Sequence, residues 1–245
     1  MATQVHENKC PNCGDAVDPA MKFCGSCGSK VSVQTFTGTE AVSNPHGTTV
    51  DIKRCPSCNA ALETANTKCD HCGNHIIITT FNSVHAMPLP MVGKYAEAYR
   101  KALAENPDST TLGASIAFCY LKLKLYDKAL GAFEEAHKVN FDNPEIPFYA
   151  AVCLLGGKKA FLAQRPAIDR IEEYINSALM IEPTRGIYHY FRAYIKYDYF
   201  SRKFYNTSPT WQEALAAAQS AGEAPSPHDI VQLYGILGVE RPGNL

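Results

Sequence analysis

The chain has no uninterrupted apolar run near the roughly 20 residues that a bilayer-spanning helix needs, so no membrane contact of that kind is expected. It also lacks an excess of either charge: 23 Lys and Arg face 24 Asp and Glu, for a formal net charge of −1. Residues 1–85 hold six basic side chains against seven acidic ones, and the remainder balances at 17 and 17. Neither part matches a phosphate backbone electrostatically, which speaks against nucleic acid as a partner. Several enzyme signatures are missing too: no glycine-rich phosphate loop, no Gly-x-Ser-x-Gly and no His-Glu-x-x-His. The eight histidines are scattered, five of them within the first 85 residues. No catalytic constellation emerges, and the chain reads as non-enzymatic.

What is present is cysteine. Eight of the ten fall into two copies of one pattern. The first copy is Cys10, Cys13, Cys24 and Cys27; the second is Cys55, Cys58, Cys69 and Cys72. Each pairs two Cys-x-x-Cys turns across ten intervening residues, and the copies sit 45 positions apart. Four thiolates gathered this way form a tetrahedral sulfur site, the arrangement of structural zinc. Residues tolerant of positive φ follow the turns at Gly14, Gly28, Asn59 and Gly73, where a tight knuckle aims backbone amides at sulfur. The β-rich runs 31–36 and 76–81 read as strands closing small sheets over the metals.

Residues 9–36 and 54–81 resemble the double zinc ribbon family, with Cys-Pro-x-Cys and Cys-x-x-Cys-Gly as the shared motifs and Asn59 standing where that family carries glycine. The resemblance implies two structural Zn²⁺ ions. Tetrahedral sulfur alone does not separate zinc from iron. Disulfides are disfavoured because Met1 to Lys9 is polar and announces no export, which points to the cytoplasm. His71 and His75 read as surface residues beside the second site, since four thiolates complete it.

Between the repeats, residues 37–53 are rich in Thr, Ser, Gly and Asn and read as a flexible linker. Residues 82–91 read as a second hinge, its prolines delaying helix entry until Met91. Thereafter the apolar period is about 3.6, predicting helices near 92–105, 109–123, 126–139, 144–156, 165–181, 185–203, 209–221 and 227–237. Asn143-Pro144, Ser208-Pro209 and Ser226-Pro227 each place a capping side chain before a proline at the first helical position.

The register Ala117, Tyr120, Ala129, Phe133, Ala136, then Ala178, Leu179 and Pro183, resembles the tetratricopeptide repeat, whose unit is an antiparallel helix pair of ~34 residues. The best match is Thr110 to Phe141. The second unit runs long around Gly156 to Pro166. The predicted architecture is multidomain: a disordered tail (1–8), zinc ribbon 1 (9–36), a linker (37–53), zinc ribbon 2 (54–81), a linker (82–91) and an all-α repeat domain (92–245) ending in a capping helix.

The repeat resemblance implies a concave partner-binding face presenting Phe118, Lys122, Phe148, Tyr190, Tyr194 and Tyr197. A one-residue shift would present Tyr188, Phe191 and Ile195 in place of the three tyrosines. Most of the nine aromatics between Tyr188 and Tyr205 read as structural. Cys119 and Cys153 read as small buried hydrophobes. The expected function is a cytoplasmic adaptor or scaffold that binds another protein or complex; the alternative is a regulator that binds nucleic acid through its ribbons.

Overall fold

The structure, a computed structural model, describes residues 52–62 and 68–245. The predicted tail, the first cysteine repeat and residues 37–51 of the linker lie outside the described residues. All described residues belong to one compact unit, Thr48–Leu245.

Nine α-helices follow the second cysteine repeat: α1 (Phe81–His85), α2 (Leu89–Glu105), α3 (Thr110–Lys122), α4 (Tyr126–His137), α5 (Glu145–Cys153), α6 (Arg165–Ile181), α7 (Gly186–Ile195), α8 (Trp211–Ser220) and α9 (Pro227–Leu237). From α2 to α8, helices adjacent in sequence pack on one another wherever a short turn joins them. The packing follows from small residues at the crossings. Ala117 and Ala129 are fully buried between α3 and α4, which lets Phe118 and Phe133 meet edge to face at 5.2 Å. Ala178 and Ala193 are buried in the same way farther along. At the centre, Tyr149 of α5 contacts Phe81, Phe118 and Phe133 at 5.0, 5.9 and 6.3 Å.

The helix ends obey local chemistry. Ser226 caps α9 through a capping box with Asp229, Pro227 opens that helix, and Gly238 stops it in the left-handed conformation with φ 67°. Asn143 accepts the amide of Glu145 at 3.0 Å beside Pro144. At α8 the cap is Thr210 rather than Ser208, because Thr210 and Glu213 complete a capping box just before Trp211. The overlong segment after α5 turns at Gly156 and Gly157, both with positive φ, and forms a 3₁₀ turn at Ala160–Leu162.

Three expectations change. The segment 82–91 is no hinge: it holds most of α1 and the start of α2, whose cap is Pro88 and whose first turn accepts Pro90. The run 76–81 forms no strand; among the described residues, pairing outside the helices is limited to isolated bridges such as Arg54–Ala61 and Lys68–His75. Ile76, Ile77 and Ile78 are instead buried in the apolar core they share with the helices. The predicted helix 185–203 changes winding midway: α7 passes into a π-helical turn at Lys196–Phe200 and a 3₁₀ turn at Ser201–Lys203. No helix among the described residues is long and apolar enough to cross a membrane.

Candidate functional site

The second cysteine repeat folds as two facing knuckles of matching form. The Asn59 amide bonds the Cys55 carbonyl at 2.9 Å and the Gly73 amide bonds the Cys69 carbonyl at 2.8 Å. In turn the Cys55 amide reaches Ala60 and the Cys69 amide reaches Asn74, both at 2.9 Å. Asn59 and Gly73 both have positive φ, 62° and 69°, so asparagine takes the left-handed position in one knuckle and glycine in the other. Asn74 Nδ2 donates to Ser57 Oγ at 2.8 Å and ties the knuckles together.

The turns gather all four sulfurs within 4.8 Å of one another. Cys55 and Cys72 lie 3.7 Å apart, sulfur to sulfur, as do Cys58 and Cys69. A tetrahedron with Zn–S bonds of ~2.3 Å has edges of about 3.8 Å, so these two pairs match the edges a zinc ion would impose. Backbone amides point at the sulfurs: Cys58 and Ser57 toward Cys55, Ala60 toward Cys58, and Asn74 toward Cys72. The Asn74 amide brings the Cys72 thiol down to about 7, whereas burial pushes Cys55 up to about 12. A metal ion bound by Cys55, Cys58, Cys69 and Cys72 would hold every sulfur as thiolate. His71 and His75 are exposed, in keeping with a sulfur-only set.

This cluster is anchored to the helices rather than tethered beside them. Tyr95 and Tyr99, one turn apart on α2, donate their hydroxyls to the carbonyls of His75 and Ile76, each at 2.6 Å. The Phe81 amide donates to Glu145 Oε2 at 2.8 Å. Ser115, Tyr95 and Tyr99 are the positioning residues that sequence reasoning missed. The only local hint was the i, i+4 spacing of the tyrosines.

The expected concave face is filled by the chain itself. Phe118, Phe148, Tyr190 and Tyr194 are between 0 and 3% exposed, although Tyr194 forms part of the floor of a cleft beside Lys159 and Arg241. Phe148 packs on Tyr188 and Phe191 at 4.6 and 5.7 Å. Tyr190 and Tyr194 meet Tyr234 of α9 at 6.4 and 5.6 Å. Lys122 donates to the His85 carbonyl at 2.6 Å, closing the helix that precedes α2. Tyr197 is half-buried against Trp211 at 5.4 Å and accepts a hydrogen bond from Asn244. The shifted set fares no better, since Tyr188, Phe191 and Ile195 are buried. α9 is thus more than an end cap: Leu233, Tyr234, Ile236 and Leu237 are all buried, and the Tyr126 hydroxyl bonds the Ile236 carbonyl at 2.6 Å. Cys119 and Cys153 are buried, and burial raises the Cys119 thiol to about 12, so both are unreactive packing residues.

Residues 10–73, about a quarter of the chain, match the profile of the family described as Double zinc ribbon. No curated protein sequence matches the chain. Solved structures similar to it include MamA MSR-1 C2, 21% identical over 51% of this chain with a TM-score of 0.39. Another is MamA AMB-1 C2221, 17% identical over 59% of this chain and 88% of its own, with a TM-score of 0.40. The chain spans 63% of the length of the first. The segment that carries the two cysteine repeats is therefore a double zinc ribbon by sequence, and its second half presents a four-sulfur metal cluster set on an all-helical body.

Proposed function

We propose that this protein is a non-enzymatic, cytoplasmic scaffold that holds two structural zinc ions and uses its helical body to bind another protein. The ions would sit at Cys10, Cys13, Cys24 and Cys27 in one β ribbon and at Cys55, Cys58, Cys69 and Cys72 in the other. The observation that carries this reading is the complete sulfur tetrahedron, anchored through Ile76–Ile78 to α2 and α3. Four thiolates leave no coordination position for a substrate, so the ion's work is to hold shape. A reducing compartment keeps the thiols available.

Since α1 and α9 occupy the concave side, the partner surface lies elsewhere. Glu134 pairs with Arg170 and Tyr174, and the rings of His137 and Tyr174 meet at 6.1 Å, so α4 and α6 run side by side in one sense. Val139 and Phe141 in the connection just past α4 and Met180 near the end of α6 are 59, 74 and 84% exposed. Apolar side chains along one edge suit a protein partner.

The test uses the full zinc-loaded chain as bait in extract of its native host. Replacing Phe141 and Met180 by serine should cost most of the recovered partner. Undiminished recovery by that variant, together with loss when Cys10 and Cys13 are replaced by serine, would shift the interaction to the ribbons. Recovery of nucleic acid in a salt-dependent complex would replace the reading altogether.

A further inference from the structure

Beyond α7 the backbone widens through the π-helical turn, tightens through Ser201–Lys203 and stops at Phe204, whose φ is +59°. Bulky residues rarely adopt that conformation, and here it turns the ring outward: Phe204 is 93% exposed. The 3₁₀ turn Ala160–Leu162 lies alongside, joined by the Phe161 amide bonding Asp198 Oδ2 at 2.9 Å. Leu162 is 68% exposed and Tyr205 is 52% exposed. Two neighbouring turns thus present apolar tips with no cover among the described residues.

The same corner is cationic. Lys158, Lys159, Arg202 and Lys203 belong to these turns, while three of the neighbouring acids are already engaged: Asp169 by Arg165, Glu172 by Lys196 and Asp198 by Arg202. Beside the turns opens a cleft of about 280 Å³ lined by Lys159, Tyr197, Asp198, Arg202 and Arg241, with Glu240 also at its wall. Asp198 accepts from the Phe161 amide, the Tyr194 hydroxyl and Arg202, and it is only 2% exposed. Lys159 makes no ion pair among the described residues, and Arg241 donates its Nε to the Leu245 carbonyl while its guanidinium lies 6.0 Å from the Tyr190 ring centre. Arg202 both lines the cleft and lies over the Phe161 ring at 4.5 Å, so cleft and apolar tips form one continuous surface.

We propose that this corner docks onto a membrane surface rich in anionic lipids. A headgroup phosphate enters the cleft between Lys159, Arg202 and Arg241, the lysines face the charged surface, and Phe204 and Leu162 enter the interfacial layer. Single-stranded nucleic acid fits the charge, but stacking along a strand needs a row of bare aromatic faces, and apart from Phe204 and Tyr205 the rings of this corner are covered by cations. Phe161 is covered by Arg202 and Lys203, Tyr199 by Lys203 at 3.9 Å, and Phe200 by Lys196 at 4.6 Å. Phe204 and Leu162 project from turns instead of lining a groove, and a fluid interface accepts such tips without a matching pocket.

The test is cosedimentation of the full zinc-loaded chain with vesicles of phosphatidylcholine alone and with about a third phosphatidylglycerol. Binding should require the anionic lipid and weaken as salt rises. Lys158→Gln and Lys159→Gln should each weaken it about fivefold. Phe204→Ser should weaken it about tenfold while leaving the thermal midpoint unchanged, since the ring packs on nothing. Equal or absent binding to the two vesicle types overturns the proposal. So does full binding by a Phe204→Ser, Leu162→Ser double variant, or a preference for a single-stranded oligonucleotide that the lysine variants abolish.

Discussion

Ser115 on α3 bonds both backbone polar groups of Ile78: the Ile78 amide donates to its Oγ at 3.2 Å, and its hydroxyl proton is shared between the Ile78 carbonyl at 2.7 Å and the Thr111 carbonyl at 2.8 Å. Both residues are fully buried, so one side chain does for the cysteine module what a neighbouring strand would have done. Ser115→Ala strands an amide and a carbonyl in an apolar setting. It should lower stability by about 2–3 kcal/mol in urea denaturation of the zinc-loaded chain, with faster hydrogen exchange at Ile76–Ile78. A loss under about 0.5 kcal/mol would mean that the tyrosines of α2 alone carry the docking.

Metal removal should be felt beyond the ligands. Cys58→Ser should reduce bound zinc from two ions per chain to one, measured by atomic absorption, and the wild-type sample should be colourless. Chelation should lower the thermal midpoint of the helical body, because Ile76–Ile78 continue directly from the Cys72 knuckle into its core. A red sample would replace zinc with iron. An unchanged midpoint after complete chelation would mean that the helices do not depend on the module.

Gly186 marks a backbone crossing that no side chain can enter. A Cβ there would lie 2.6 Å from the Glu223 carbonyl oxygen and from Pro225 Cδ, and 2.8 Å from the Ala218 carbonyl oxygen. The Gly186 amide bonds Glu223 at 2.7 Å, pinning α7 to the connection between α8 and α9. Gly186→Ala should therefore cost ~1–3 kcal/mol despite alanine's better helix propensity, with α9 the first helix to exchange its amides. Stabilisation in a thermal melt would contradict that geometry.

Stability should fall with acid through His85. Burial, with Lys122 and His228 nearby, holds its imidazole below the usual value of 6.5. The unfolded chain therefore takes up the proton first. The associated stability is fully present above pH 6.5 and is lost as pH falls through the folded pKa. The His85 ring lies 6.0 Å from that of His228 on α9, so protonation sets two elements against each other. Thermal midpoints recorded downward from neutral pH should decline, and His85→Gln should flatten that decline. An identical slope in the variant would assign the acid sensitivity to other groups.

Local signals were legible and long-range ones were not. Cysteine spacing located the cluster, and Asn59 and Gly73 marked its knuckles because positive φ leaves a short-range signature. Ser226 and Pro227 marked the start of α9 through the equally local preferences of a helix N-terminus. The fate of the concave face depended on contacts 40 or more residues apart, which no spacing records. Two patterns did hint at the outcome. Ile76-Ile77-Ile78 is a continuous apolar triplet rather than an alternating one, and a strand with one face in water would alternate. Leu233, Tyr234, Ile236 and Leu237 give α9 more apolar surface than a terminal cap with a solvent face requires.

The hydrogen bond from Gln232 on α9 to Asn82 on α1, at 3.1 Å, joins positions 150 residues apart. Stacked repeats ordinarily melt piecemeal, each answering only to its neighbours. A hydrogen bond between the first described helix and the last couples the two ends of the array, so fraying at one is felt at the other. Such a body should fold slowly and unfold as one cooperative unit.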